Sequence, residues 1–287
     1  MTDVVHRLRD KLNIGREAKI VICSGQIDNL VTGIVFKDRS PTHVINYGHL
    51  PEYNDKTRHL HESIRTVYNL TEESPIYGTT PEPVELFIHD GLLVSVQSSL
   101  PGTPGVEYIR SFRKKKRVKE LVRTAFDWAS IFHNENKITS PESVPPNGFC
   151  HINKRMLDTL RGPMHRDFVT SNILIQDDHC PRVIDWEDFT REGFPIVDLY
   201  HLIVECSIGD TLKKRIENAL YVENWYTEFL SEMFEMYASE LNIEMNEVKK
   251  NANLFLVNLE FMTRQRGGLN RMRWLKDYSI QEKQIVF

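Results

Sequence analysis

Five residues in the middle of the chain have the types and spacing for phosphoryl transfer: His165, Arg166, Asp167, Asn172 and Asp185. Met164 to Ile175 fits H-x-D-x-x-x-x-N followed by the apolar run Ile173-Leu174-Ile175, and Val183-Ile184-Asp185-Trp186-Glu187 puts a carboxylate at the end of the next apolar run. Moving a phosphoryl group asks for little covalent chemistry from a protein. It asks for positioning and for cancellation of phosphate charge. Asp167 suits the group that orients an acceptor hydroxyl and takes its proton. Asp185 suits a carboxylate that holds magnesium, and Asn172 adds an oxygen ligand without adding charge, in keeping with the hard oxygen donors magnesium favours. His165 suits a supporting role through hydrogen bonds in the loop. A lone H-x-D is an ordinary surface loop, but here the loop, the pair of short strands and the acidic strand end agree.

The elements around these residues follow from periodicity. Lys19-Ile20-Val21-Ile22-Cys23, Leu30 to Phe36 and His43 to Tyr47 are β-branched runs separated by turn residues, which predicts an antiparallel meander. A helix is expected from Asn54 to about Leu70, with Leu60, Ile64, Val67 and Tyr68 on one stripe. Two more strands, Val84 to Ile88 and Leu92 to Gln97, flank the turn His89-Asp90-Gly91, and Leu100 to Gly105 is rich in helix and strand breakers. Beyond it the chain reads as mostly helical. A long helix is expected over Arg110 to Asn134, a Pro-rich loop over Ser140 to Asn147 and a helix over Asn153 to Leu160. The strand pair Ile173 to Ile175 and Arg182 to Ile184 follows, then helices from Asp198 to about Tyr278. An amphipathic helix is expected at the N-terminus, over MTDVVHRLRDKLNI.

The motif His165-Arg166-Asp167 to Asn172, with Ile184-Asp185-Trp186-Glu187, resembles the aminoglycoside phosphotransferase and choline kinase-like superfamily. Phe126-Asp127-Trp128-Ala129-Ser130-Ile131-Phe132-His133 is similar to that group's helix ending in an apolar residue and His, Ser99-Leu100-Pro101-Gly102 to its hinge, and Asp198-Leu199 to the start of its next helix. The resemblance spans roughly Lys19 to Ile203. It implies an α+β, bilobal protein-kinase-like fold. Residues 1–100 would form a nucleotide-binding lobe with a five-stranded antiparallel sheet and one main helix. Residues 101–287 would form a larger, mostly helical catalytic and substrate-binding lobe. It also implies ATP or GTP with Mg2+ as cofactors, and backbone contacts to the base near Gln97 and Ser99. The stretch between Asp185 and Asp198 holds no D-F-G and no A-P-E and is too short for a peptide-docking platform, which turns the expectation toward a small hydroxylated acceptor.

Two features depart from the pattern. Kinase-like folds carry a Lys on the third strand that contacts the phosphates and pairs with a Glu on the next helix. Glu62 is the natural Glu, but Asn46 stands where the Lys is expected; Lys37, Lys56 and Arg58 are substitutes or plain surface charges. The turn Ser24-Gly25-Gln26-Ile27-Asp28-Asn29 has one Gly rather than G-x-G-x-x-G, so Ser24, Gly25 and backbone N–H groups would have to turn over the phosphates. Two functions of different class therefore stay open. One is a kinase that moves the γ-phosphoryl group to an alcohol of a small molecule. The other is a catalytically weak or inactive relative that binds nucleotide or another ligand.

Composition narrows the rest. A net charge of -4 and 40% hydrophobic residues over 287 residues describe an ordinary globular chain, and argue against general nucleic-acid binding. No stretch is apolar enough for a membrane span or a signal peptide, so a cytoplasmic protein is expected. Cys23, Cys150, Cys180 and Cys206 form no C-x-x-C pair and read as thiols rather than zinc ligands. The basic run Arg110 to Arg117 reads first as a solvated helix face, and only then as a site for an anion. The recurring Glu223, Glu228, Glu232 and Glu235 read as the wet side of an amphipathic helix. Trp225, Tyr226, Phe229 and Tyr237 lie on its aromatic side, where a cation could also stack.

Overall fold

The computed structural model describes residues 18–24, 30–110, 114–139, 159–176, 180–265 and 285–287. The expected N-terminal helix, Gly25 and the Pro-rich loop lie outside these residues. Of the helix expected over Asn153 to Leu160 only Thr159 and Leu160 are described, and neither is helical. The fold is α+β and divides into two compact units. One holds the described residues up to Thr103 together with Leu174–Asp188; the other holds Pro104–Ile173 and the remainder of the chain.

In the first unit, β1 (Lys19–Ser24), β2 (Leu30–Lys37) and β3 (Ser40–Gly48) precede helix α1 (Asn54–Thr71), which leads to β4 (Pro83–His89) and β5 (Leu92–Ser98). The sheet order is β1-β2-β3-β5-β4, antiparallel throughout. Among the described residues, the β2–β3 and β4–β5 turns take the left-handed backbone that matches strand twist. Asp38 and Arg39 have φ of 50° and 68°, and Asp90 and Gly91 have 48° and 79°. Strand alternation sorts the sheet into two faces. Val35, Ile45, Phe87, Val94 and Val96 form an apolar cluster on one. Thr32, Asn46 and Ser95 stand opposite one another on the other face, where α1 packs through Leu60, His61, Ile64 and Val67. Asn54 fixes the start of α1: its amide donates to Gly91 O at 2.9 Å and its Oδ1 accepts Leu93 N–H at 2.7 Å. The short strands β7 (Ile173–Ile175) and β8 (Arg182–Val183) are hydrogen-bonded neighbours, and Val183 N–H donates to Thr79 O at 2.9 Å.

The second unit is built on α2 (Lys114–Asn136). Its apolar stripe, Val118, Leu121, Val122, Ala125, Phe126, Ala129 and Phe132, is buried as the spacing predicts. It packs against α5 (Trp225–Leu241), with Phe126 edge-on to Phe234 at 5.0 Å. Burial drives the His133 pKa down to about 3, and its Nδ1 is bonded to the Tyr237 hydroxyl at 2.8 Å. The basic residues of α2 find partners of their own. Lys115 Nζ lies 4.5 Å from the Trp225 ring centre, Lys119 Nζ 4.8 Å from that of Phe229, and Arg117 stacks on Tyr108. The aromatic side of α5 thus meets cations from this chain itself. Two short strands that periodicity does not predict, β6 (Gly162–Met164) and β9 (Thr190–Gly193), pair antiparallel. Helices α3 (Ile196–Cys206), α4 (Leu212–Leu220) and α6 (Met245–Gln265) complete the unit. No helix among the described residues is long and apolar enough to cross a membrane.

One close approach ties α2 to the motif loop. A Cβ on Gly105 would sit 2.8 Å from Thr170 O and 3.1 Å from a Leu121 methyl. Gly105→Ala is therefore expected to cost about 1–3 kcal/mol, as overpacking does. A thermal melt should fall by several degrees; an unchanged midpoint would mean that the loop backbone yields freely.

Candidate active site

Helix α3 organises the motif loop. Its sequence IVDLYHLIVEC is apolar except for Asp198, His201 and Glu205, whose spacing puts them on one face. Asp198 is buried, and its two carboxylate oxygens accept His165 N–H at 2.6 Å and Arg166 N–H at 2.9 Å. Glu205 Oε2 accepts Thr170 N–H at 2.5 Å. The two carboxylates therefore hold both ends of His165 to Thr170 through backbone donors that would otherwise be unsatisfied in a buried loop. Burial raises the Asp198 pKa to about 7, against the opposing pull of the two N–H groups and of Arg166. Between the two carboxylates, His201 is held down to about 4, first by burial and then by the charge of Arg166.

Within the loop the side chains engage one another. His165 Nδ1 accepts the Asp167 backbone N–H at 3.3 Å, which assigns its proton to Nε2. Asn172 is buried, and its amide donates to both Asp167 O at 2.9 Å and Asp167 Oδ2 at 3.0 Å. Both donors of the amide face Asp167, and its oxygen accepts the Ser171 hydroxyl at 3.3 Å, which leaves one lone pair of that oxygen for a further partner. Beneath the loop, Phe168 stacks with Trp128 of α2 at 6.0 Å, and Trp128 stacks with Phe132 at 5.0 Å. Arg166 adopts φ 70°, an uncommon conformation for a non-glycine residue, and Asp198 holds its N–H there.

Asp185 follows β8 and is exposed, with φ 67°. Trp186 beside it is buried, and its indole N–H donates to Val183 O at 3.0 Å, which anchors the strand end that carries Asp185. Left-handed backbone at both Arg166 and Asp185 marks the motif stretches as places where local strain is tolerated.

The expected nucleotide-side residues lie in the first unit. Asn46 is buried on β3, with its Oδ1 accepting the Thr32 hydroxyl at 2.9 Å. Glu62 lies on the exposed side of α1. The preceding residue, His61, faces the sheet, its Nδ1 bonded to Ser95 Oγ at 3.0 Å. The structure therefore brings Asn46 and His61, not Asn46 and Glu62, to one face. Lys37, Lys56 and Arg58 are exposed. Gln97 is buried, its Oε1 without a partner among the described residues, and Ser99 N–H donates to Thr42 O at 2.9 Å. The Ser24 backbone ends β1. His61 and Glu205 are the two residues that sequence reasoning passed over. Glu205 had a signal, since it is an acid seven positions after Asp198 in an apolar helix.

No family model and no curated protein matches the chain. Among solved structures, the GDP complex of a mutant aminoglycoside 2'-phosphotransferase IIIa is similar in fold, with a TM-score of 0.52 and 12% identity over 96% of both chains. A choline kinase from Streptococcus pneumoniae aligns with a TM-score of 0.46 and 13% identity, over 96% of this chain and 98% of that one. An ethanolamine kinase from Plasmodium vivax aligns with a TM-score of 0.46 and 12% identity, over 97% and 86%. The first of these likenesses shows that the chain has the bilobal protein-kinase-like fold.

Proposed function

We propose that this chain is a small-molecule phosphotransferase that moves the γ-phosphoryl group of ATP or GTP to a hydroxyl. The observation that carries the reading is the double hydrogen bond from the Asn172 amide to Asp167, in a loop fixed at both ends by Asp198 and Glu205. A loop used only as a connection has no need of such constraint. Asp167 orients the acceptor hydroxyl and takes its proton. His165 keeps the Asp167 backbone in place. The small acceptor is supported by the short stretch from Asp185 to Asp198, half of which is spent on β9 and the start of α3.

By donor type Asn172 and Asp185 would each suit magnesium. Asn172 offers an oxygen and Asp185 an exposed carboxylate, and magnesium sites of phosphoryl-transfer proteins use one or two carboxylates with substrate phosphates and water rather than a protein cage. When bound, the metal would offset charge on the transferring phosphoryl group.

The test is nucleotide-dependent phosphorylation across a broad panel of hydroxylated small molecules, with ATP and GTP as donors and a magnesium titration. Asp185→Asn is expected to raise the magnesium needed for half-maximal rate by at least about tenfold, since even outer-shell partners of metal ligands are worth about 10–100-fold. An unmoved titration curve would take Asp185 out of the metal site. Asn46 favours the second reading, a binding protein without turnover. Nucleotide binding with no transfer to any member of the panel would select it.

A further inference from the structure

We infer that Thr32, Asn46, Ser95 and His61 form one uncharged anchor for the nucleotide phosphates, in which Asn46 meets the phosphates and His61 is a positioning residue that acts through Ser95. The inference rests on the phosphotransferase reading and says how that site works without the usual cation.

Kinase-like folds set a Lys on the third strand against a Glu on the following helix. Here the strand position is Asn46, and α1 turns His61 rather than Glu62 toward the sheet. Thr32, Asn46 and Ser95 are direct cross-strand partners on β2, β3 and β5. Side chains so placed have Cβ atoms about 4.5–5.5 Å apart, close enough to act as one row. All of the row is neutral, and Asn46, Ser95 and His61 are 6%, 0% and 8% exposed.

The hydrogen bonds give the row a direction. The Thr32 hydroxyl occupies Asn46 Oδ1, so the end of the amide left to meet a ligand is its N–H2, a donor suited to phosphate oxygens. Among the described residues the Asn46 side chain makes no other hydrogen bond. At the far end, Ser95 is locked by His61 Nδ1. His61 is held on the packed face of α1 between Leu60 and Ile64, and burial followed by the charge of Arg65 lowers its pKa, which keeps the ring neutral. The side chain bonded to Ser95, the cross-strand neighbour of Asn46, is an imidazole and not a carboxylate, although Glu62 and Glu85 lie near enough to that ring to oppose the lowering of its pKa. The row is thus a consistent neutral alternative rather than an ion pair with one partner missing.

The test compares binding of MgATP with binding of adenosine to the full chain, and MgGTP with guanosine, by calorimetry. Asn46→Ala is expected to weaken the triphosphate about tenfold, the worth of one well-made hydrogen bond, and to leave the nucleoside within about twofold. His61→Ala should show the same selectivity at about three- to fivefold. His61→Gln, whose amide can reach back to Ser95, should restore the triphosphate to within about twofold. A merely structural role would weaken nucleoside and triphosphate alike, and that outcome overturns the anchor. So does a triphosphate affinity that neither variant moves. A wild-type chain that binds neither MgATP nor MgGTP overturns both the anchor and the phosphotransferase reading, whereas binding with flat variants overturns the anchor alone.

Discussion

Asp167→Asn is expected to leave a folded chain that still binds nucleotide and to lower the rate of phosphoryl transfer by about 10²–10⁴-fold, the usual worth of a positioned general base. The substitution keeps the shape of the side chain and an oxygen for the Asn172 amide, so the bonds that Asn172 sends into the loop survive. Asp198 and Glu205 hold the loop through backbone N–H groups, which the change does not touch. What is lost is the ability to accept a proton from the acceptor alcohol. Single-turnover rates at saturating nucleotide, paired with a thermal melt, check this. A variant within about tenfold of wild type and equally stable would remove Asp167 from the chemistry and leave it a loop residue.

Asp198→Ala should act by a different route, losing activity and stability together. It leaves the buried N–H groups of His165 and Arg166 without acceptors, and each orphaned donor costs about 1–3 kcal/mol. A loss of roughly 3 kcal/mol would lower the melting midpoint by about 6–12 °C. Transfer should fall by about 10²-fold, because a loop displaced by even 1 Å forfeits its alignment. Asp198→Asn separates the two effects. Its amide offers one acceptor and one donor where two acceptors are needed, so the loop is misheld while the helix still packs. The pH dependence carries a sign of its own. The Asp198 pKa is raised to about 7, above the roughly 3.9 of an unfolded Asp. The folded chain therefore holds a proton that the unfolded chain lacks between these values, and stability from this group declines as pH rises through 7. The ionised form is the one that accepts both N–H groups, so activity should climb over the same window. Asp198→Asn should flatten the stability slope; a slope that persists would belong to another group.

Much of this arrangement was legible because it is local. The strand runs from Lys19 to Gln97, the turn at Asp90-Gly91 and the apolar stripe of α2 each announce themselves within a few residues, and the structure places them there. The spacing of His165, Asp167 and Asn172 was equally plain. What stayed hidden depends on contact across the sequence. Strands β6 and β9 are too short to show a period, and they exist because each finds the other. Glu62 looked right by type, but a helix turns about 100° per residue, and that single step sets His61 against Ser95 and Glu62 in solvent. Lys114 to Lys116 are exposed, as a wet face should be, but no local pattern says that Trp225 will lie beside Lys115 and Phe229 beside Lys119. The position of Leu174–Asp188 in the first unit was likewise beyond any local signal.

That last feature bears on how the chain is born. A domain made of one continuous stretch can fold as soon as it clears the ribosome, N-terminal part first. The first unit cannot finish this way, because Thr79 receives its bond from Val183 only after the intervening chain has been translated. Until then the five-stranded sheet is present but its unit lacks Leu174–Asp188, while the start of the second unit emerges behind it. A slow patch of codons before Leu174 would prolong that exposed interval, and one after Asp188 would not.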